Sequence, residues 1–197
     1  MTDQRREEIR HAAVTVFARH GYRDASIAQI AAELGVGHGT IYRYFENKRA
    51  IVGFVMSHSL AQLAEVVIQE RADETQDIGQ YRAQVERICK KLFALLCDDP
   101  DIGRIIFVVA GEVDTEIRLE IESGFALMAA STEQYLINGI AKGFLDPGLD
   151  TAATSFLLNG VILEGGRQLL RSANPAAESA RWIDAGCKLM FDGITAA

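Results

Sequence analysis

The stretch 26–45, SIAQIAAELGVGHGTIYRYF, leaves the chain few folds to choose from. Ser26 with Gln29 three residues on is the S-x-x-Q pattern that opens a helix by reciprocal capping. Ile27, Ile30, Ala31 and Leu34 then recur at three- and four-residue spacing, the period of one helical face. Gly35 stops that helix, because glycine takes up the left-handed backbone of a helix end without strain. Only Gly35, Val36 and Gly37 separate it from a second helical stretch, 38–45, in which Ile41 and Phe45 can face inward. Two short helices joined by so brief a glycine-containing turn form a helix-turn-helix.

The same reading predicts helices over the rest of the chain. Residues 4–20 place Ile9, Ala12, Ala13, Val16 and Phe17 on one face, with Gly21 at the capping position. Asn47 caps a long helix from Lys48 to about Arg71, and the polar stretch 72–77 follows as a linker. Further helices are expected over 79–97, over the short apolar segment 102–111 (where IIFVVA alone equally suits a strand), and over 114–143. Asp150 caps 151–172, and Asn174 with Pro175 starts a last helix, 176–194. With only 3 prolines in 197 residues, long uninterrupted helices are permitted. The expected fold class is all-α: a three-helix head with the helix-turn-helix at 1–49 and a helical body at 50–197.

Charge divides the chain in the same place. The net charge of −7 argues against nucleic acid if taken whole. Residues 1–49, however, hold eight Lys/Arg against six acids, together with three of the four histidines, whereas the remainder holds twelve against 21. A mildly basic head suits phosphate, and an acidic body faces something else. The charged N-terminus, MTDQRREEIR, is no secretory signal. No run of about 18 apolar residues appears, so no membrane span is expected. Cys89, Cys97 and Cys187 are widely spaced with no C-x-x-C pair, as expected of free thiols in a reducing cytoplasm. An enzyme is not expected: G-x-S-x-G, H-E-x-x-H, the P-loop and G-x-G-x-x-G are all missing, and GVGHG follows a helix rather than a strand. His11, His20, His38 and His58 show no metal-ligand spacing, and no cofactor is implied.

The second helix carries the chemistry. Gly37 serves as its N-cap, and Gly39 costs about 1 kcal/mol of helix propensity while leaving no side chain to hold the backbone off a partner. Free N–H groups at a helix start suit an anion such as phosphate. His38 and Thr40 can point outward, Tyr42 and Tyr44 offer hydroxyl donors, and Lys48 brings a positive charge to the start of the next helix.

The three blocks IRHAAVTVFARHGY, SIAQIAAELGV and GTIYRYFENK, in this order and spacing, resemble the DNA-binding domain of the TetR family of transcriptional regulators. The resemblance covers residues 5–55, about a quarter of the chain. The chain departs from the family at Gly37, where Ser or Thr is frequent. The resemblance implies a DNA surface formed by Ser26, Gly37, His38, Gly39, Thr40, Tyr42, Arg43, Tyr44 and Lys48, with Lys48 on a phosphate and His38 and Arg43 as base readers. It implies a homodimer on a near-palindromic operator, most often a repressor, paired through the last two helices. The expected interface residues are Gly160, Val161, Glu164 and Gln168 with Trp182, Ile183, Gly186 and Met190, and Ile194 continues the second stripe. It further implies a pocket for a small-molecule effector among the body helices. Candidate lining residues are Phe54, Phe93, Phe107, Phe125, Met128 and Phe156, with Glu112, Tyr135 and Asn159 as polar members. Such a lining favours an apolar or aromatic effector, unless Glu112 or Asp114 reaches the pocket and favours a cation. The alternative is a helical ligand-binding or scaffold protein without DNA-regulatory activity.

Overall fold

The computed structural model describes residues 2–107 and 109–193. Among them are nine α-helices and two short 3-10 turns, and no strand. The helices are α1 (Thr2–Asp24), α2 (Ile27–Leu34), α3 (His38–Tyr42), α4 (Lys48–Ile68), α5 (Ile78–Asp98), α6 (Pro100–Phe107), α7 (Thr115–Ala141), α8 (Thr151–Arg171) and α9 (Pro175–Phe191). Ile194, the last member of the stripe read from the sequence, lies outside the described residues.

The chain divides into two compact units, and not at residue 49. The first comprises residues 1–61 and 101–124; the second comprises 62–100 and 125–197. Both α4 and α7 run from one unit into the other. The 102–111 segment resolves in favour of helix: α6 is followed by a 3-10 turn, Val109–Gly111. Its apolar residues Ile102, Ile105, Ile106 and Val109 are all buried.

The core of the first unit is the apolar face read from the sequence. Ile9, Ala13, Val16 and Phe17 of α1 are buried with Ile30 and Ala31 of α2, Ile41 and Phe45, and Ile51, Val52 and Val55 of α4. Gly21 breaks α1 with φ 74, ψ 170, so the regular helix ends where the sequence placed its cap. The Ser26 capping box is complete: Gln29 N–H donates to Ser26 Oγ at 3.2 Å and Ser26 N–H to Gln29 Oε1 at 2.8 Å. Gly35 caps α2 at φ 70. α3 is shorter than the expected 38–45, because the chain leaves the helix at Arg43.

In the second unit α5, α8 and α9 pack together, around Tyr81, Leu92, Phe93, Leu96, Leu169 and Cys187. Asp150 and Asn174 cap α8 and α9 through the N–H groups of Ala153 and Ala177. Asp77, read only as linker, caps α5 through Gln80 N–H at 2.8 Å. By length and composition the stretch Lys48–Glu74 is apolar enough to cross a membrane. Its Ile51, Val52, Val55, Met56 and Leu63 are instead buried inside the protein, as in the core helix of a globular chain.

Candidate nucleic-acid interface and internal cavity

α3 stands on α2 with one face buried and the other open. Ile41 and Phe45 point into the core; His38, Gly39, Tyr42 and Arg43 are exposed, while Thr40 and Tyr44 are half-buried. Tyr42 is 57% exposed, a large apolar ring that the fold itself does not use. The two glycines are likewise unexplained by the fold. Gly37 has φ −74, open to any residue, and a Cβ built on Gly37 or Gly39 meets no heavy atom within 4 Å. Within this chain alanine would fit at both positions. What their missing side chains leave open is the outer approach to the first N–H groups of α3, where an anion is favoured.

Two members of the expected DNA surface are engaged inside the protein. The Ser26 hydroxyl lies in the capping box. The Lys48 ammonium donates to the carbonyl oxygens of Tyr22 (2.7 Å), Arg23 (3.1 Å) and Ala25 (2.7 Å), and sits 4.5 Å from the centre of the Tyr22 ring. All three of its donors are committed, so a phosphate at Lys48 must compete with these bonds. In this structure Lys48 is a staple on the 22–25 loop, in place of the free phosphate ligand read from the sequence.

Glu112 is also corrected. It was read as a pocket residue, but its Oε2 accepts from the N–H groups of Tyr22 (2.7 Å) and Arg23 (3.3 Å). Asp114 and Glu116 both pair with Arg49. The acidic run is thus partly a clamp within the first unit.

The second unit encloses a cavity of about 110 Å³. Val67 of α4 borders it; its wall on α5 is Tyr81, Val85, Ile88, Cys89, Leu92 and Phe93; α7 supplies Thr132 and Tyr135; α8 supplies Leu158, Asn159, Val161 and Ile162; α9 supplies Trp182, Ile183, Gly186, Cys187, Leu189 and Met190. Of the residues proposed to line a pocket, Phe93, Tyr135 and Asn159 lie here. The others do not. Phe54 packs on Phe45 with ring centroids 5.4 Å apart, and the Arg6 guanidinium lies 4.9 Å from both rings. Phe107 ends α6 in the first unit. Phe125 and Met128 sit about one turn or more before Thr132 on α7 and are not in the wall. Phe156 is 59% exposed on the outer side of α8. Tyr81, Val85, Ile88 and Leu92 were missed, although their spacing of four, three and four residues marks one face of α5.

The expected dimer residues separate into two sets. Gly160, Val161, Glu164 and Trp182 line an open apolar groove with Ala153, Phe156 and Leu157. Leu157 is 70% exposed. Gln168 donates to Glu164 at 2.7 Å at the end of this face. Ile183, Gly186 and Met190, however, face the cavity, because Ile183 and Met190 complete its α9 wall and Gly186 lets α9 approach Val161, at 3.8 Å from its would-be Cβ. Val161 and Trp182 border both spaces.

Burial raises the Cys89 thiol to about 12 and the Tyr135 phenol to about 12. The Tyr135 hydroxyl lies on the carbonyl oxygens of Val67 (2.8 Å) and Glu70. Among the described residues no group of three or more His, Cys, Asp or Glu could hold a metal ion.

Residues 9–53 match the family model described as bacterial regulatory proteins, tetR family. The fatty acid metabolism regulator protein of Bacillus subtilis (strain 168) is 26% identical over 157 residues, 80% of this chain and 79% of that protein. The HTH-type transcriptional regulator BetI of Pseudomonas aeruginosa (strain LESB58) is 38% identical, but over 68 residues, 34% of either chain. Among solved structures, the regulator FadR of Bacillus subtilis in complex with stearoyl-CoA superposes with a TM-score of 0.82 at 24% identity, covering 96% of this chain and 99% of that one. The fatty acid degradation regulator FadR of Bacillus halodurans gives 0.84 at 22% identity, covering 98% and 97%. At these identities the structural likeness concerns the fold.

Proposed function

We propose that this chain, a member of the TetR family of transcriptional regulators, is a cytoplasmic repressor that binds a near-palindromic operator as a homodimer and leaves it when an acyl-chain effector enters the cavity of the second unit. The observation that carries the DNA reading is the open face of α3: two glycines that the fold does not require, beside exposed His38, Tyr42 and Arg43. Nothing among the described residues accounts for a glycine at position 39, whereas a backbone pressed against phosphate does. Tyr42 and the N–H groups at the start of α3 hold the DNA backbone, and His38 and Arg43 reach base edges in the major groove.

The effector reading is supported by an almost wholly apolar cavity and by the relative that binds stearoyl-CoA. At about 110 Å³ the cavity is smaller than the ~300 Å³ or more usual for a small-molecule site, so the ligand must widen it. That requirement supplies the differential affinity between two states without which no ligand can shift an equilibrium. The homodimer reading rests on the groove with exposed Phe156 and Leu157, on an outer face where single-chain packing leaves large apolar groups in water.

Selection of random duplex DNA on the purified chain at two salt concentrations tests the first claim. A near-palindromic site whose affinity falls steeply with salt is expected, because neutralised phosphates release counterions. Failure to enrich any sequence would sink the regulator reading. Addition of a long-chain acyl-CoA should release that site, and Trp182→Asp should yield monomers in sedimentation; an intact dimer would move the interface elsewhere.

A further inference from the structure

One face of α7 is polar where it meets the end of α4. Tyr135, Asn138 and Lys142 stand three and four residues apart, the spacing of a single helical face. All three donate to main-chain carbonyl oxygens of the stretch 67–75. The Tyr135 hydroxyl lies on the carbonyls of Val67 (2.8 Å) and Glu70. Asn138 Nδ2 lies 3.3 Å from the Thr75 carbonyl oxygen and 3.1 Å from the Thr75 hydroxyl. The Lys142 ammonium donates to the carbonyls of Asp73 (2.6 Å) and Thr75 (2.8 Å). The cause is local: α4 ends at Ile68 and a 3-10 turn, Ala72–Glu74, follows, so the carbonyls here leave the regular helical ladder and α7 supplies their donors.

On its other side the same stretch is bonded to α5. Gln84 Nε2 donates to the Arg71 carbonyl at 2.9 Å, and Arg87 and Lys91 hold the Glu70 carboxylate at 3.0 and 2.8 Å. Residues 67–75 therefore go with α5, and a seam of three side chains fastens α7 to them. The seam starts in the cavity wall, which Val67 and Tyr135 both line; Asn138 and Lys142 are not in the wall and continue the seam along α7. The opposite walls belong to α5, α8 and α9, which pack directly on one another. By contrast, α4 and α7 supply only Val67, Thr132 and Tyr135. At about 110 Å³ the cavity must widen to hold a ligand of ordinary size, and the side closed by the fewest side chains is the seam.

We propose that this seam is a latch on the cavity: its bonds hold α7 against residues 67–75 in the empty chain, and a ligand must part them to enter. The inference rests on the reading of this cavity as the effector site and adds its regulation, because the strength of the latch sets the ligand concentration at which the site fills. A site that is open for only a fraction of the time binds its ligand more weakly by that fraction. Weakening the seam raises the open fraction, so it should tighten binding. A side chain that only contacts the ligand would do the opposite when truncated.

The test uses the full chain and its single tryptophan, Trp182, which lies in the cavity wall. Its fluorescence is titrated near neutral pH with 1-decanol, an uncharged probe, and with decanoyl-CoA. Tyr135→Phe removes one hydroxyl and keeps the ring in the wall, whereas Lys142→Met removes an exposed ammonium outside the wall. Each variant should bind 1-decanol about five- to tenfold more tightly than the wild-type chain, the worth of one hydrogen bond, while the urea midpoint of the ligand-free chain falls. Lys90→Met, which removes an exposed lysine of α5 paired with Glu86, should leave the affinity unchanged. Tightening confined to Tyr135→Phe would mean that a less polar wall is the cause and would overturn the latch, as would unchanged or weaker binding in both variants. Should Tyr135→Phe fail to fold, Lys142→Met carries the test, since its side chain is exposed and its replacement opens no void. A Trp182 signal that answers to neither probe would instead overturn the effector reading of the cavity, and the latch with it.

Discussion

Gly39 separates what the fold needs from what a bound partner needs. It is the second residue of α3, and a Cβ placed on it meets no heavy atom within 4 Å. Alanine there removes a helix penalty that reaches about 1 kcal/mol in a helix interior and is nearer ~0.5 kcal/mol at a helix start. For a chain of this size, half a kcal/mol corresponds to a rise in Tm of about 1–2 °C. The same methyl group occupies the outer approach to the α3 N–H groups. If DNA phosphate lies there, one or two hydrogen bonds are lengthened at a cost of about 1–2 kcal/mol, and operator affinity falls roughly five- to thirtyfold. Gly39→Ala should therefore be slightly more stable than wild type and markedly worse at binding DNA. Thermal melting and fluorescence anisotropy on the selected operator read the two effects separately. Undiminished affinity would refute the close-approach account of the glycine, and a lowered Tm would refute the account of α3. Gly21 supplies the opposite control: its φ is +74 and its would-be Cβ lies 2.8 Å from Glu112 Oε2, so alanine there should destabilise the chain whether or not DNA is present.

Lys48→Met should lower stability by about 2–3 kcal/mol, since three charge-assisted bonds to the Tyr22, Arg23 and Ala25 carbonyls vanish; an unchanged denaturant midpoint would leave phosphate binding as its role, visible as a salt slope smaller by about one. The Glu70 carboxyl is held below its ordinary value, first by the hydrogen bond from Lys91, against opposing desolvation, and then by Arg87. Its stabilisation is present above the unfolded value of 4.5 and is lost as pH falls through the lower folded value, so the stability gap between wild type and Glu70→Gln should close on acidification; a gap independent of pH would refute the ion-pair account. Cys89, raised to about 12 by burial, should resist iodoacetamide in the native chain and react readily in urea, followed by mass spectrometry of the peptide; fast native labelling would mean that the cavity wall opens freely.

The first unit was legible in the sequence because its signals are local. A capping box needs only residues three apart, and a left-handed glycine ends a helix without reference to anything distant. Ser26, Gln29 and Gly35 therefore stand where the pattern put them. The cavity was less legible because a wall is assembled from five helices, and only part of each helix faces it. Picking phenylalanines favoured size over phase. Phe54, Phe107 and Phe125 lie out of register with the wall, whereas Tyr81, Val85, Ile88 and Leu92 lie in register along α5. Trp182 and Met190 were read as one stripe, but a stripe does not state which of two neighbouring spaces it borders.

Long-range polar contacts were hidden for a stricter reason. Glu112 lies ninety residues from Tyr22, and no spacing rule connects them. Yet the pair explains why residues 101–124 belong with the N-terminal helices. The kink at Gly21 interrupts the helix ladder, so the last residues of α1 and Ala25 turn backbone groups to side chains from elsewhere. The carbonyls at 22, 23 and 25 take the Lys48 ammonium, and the N–H groups at 22 and 23 take the Glu112 carboxylate. Arg49, next to Lys48, pairs with Asp114 and Glu116, which follow Glu112. Lys48 and Glu112 thus close on one short segment, and beside them the Arg49 pairs tie the start of α4 to the segment before α7. Any displacement of residues 112–116 must break bonds to both the loop and Arg49, or carry them along. The unmet backbone after Gly21 and the Arg49 pairs together join the N-terminal helices to the segment before α7.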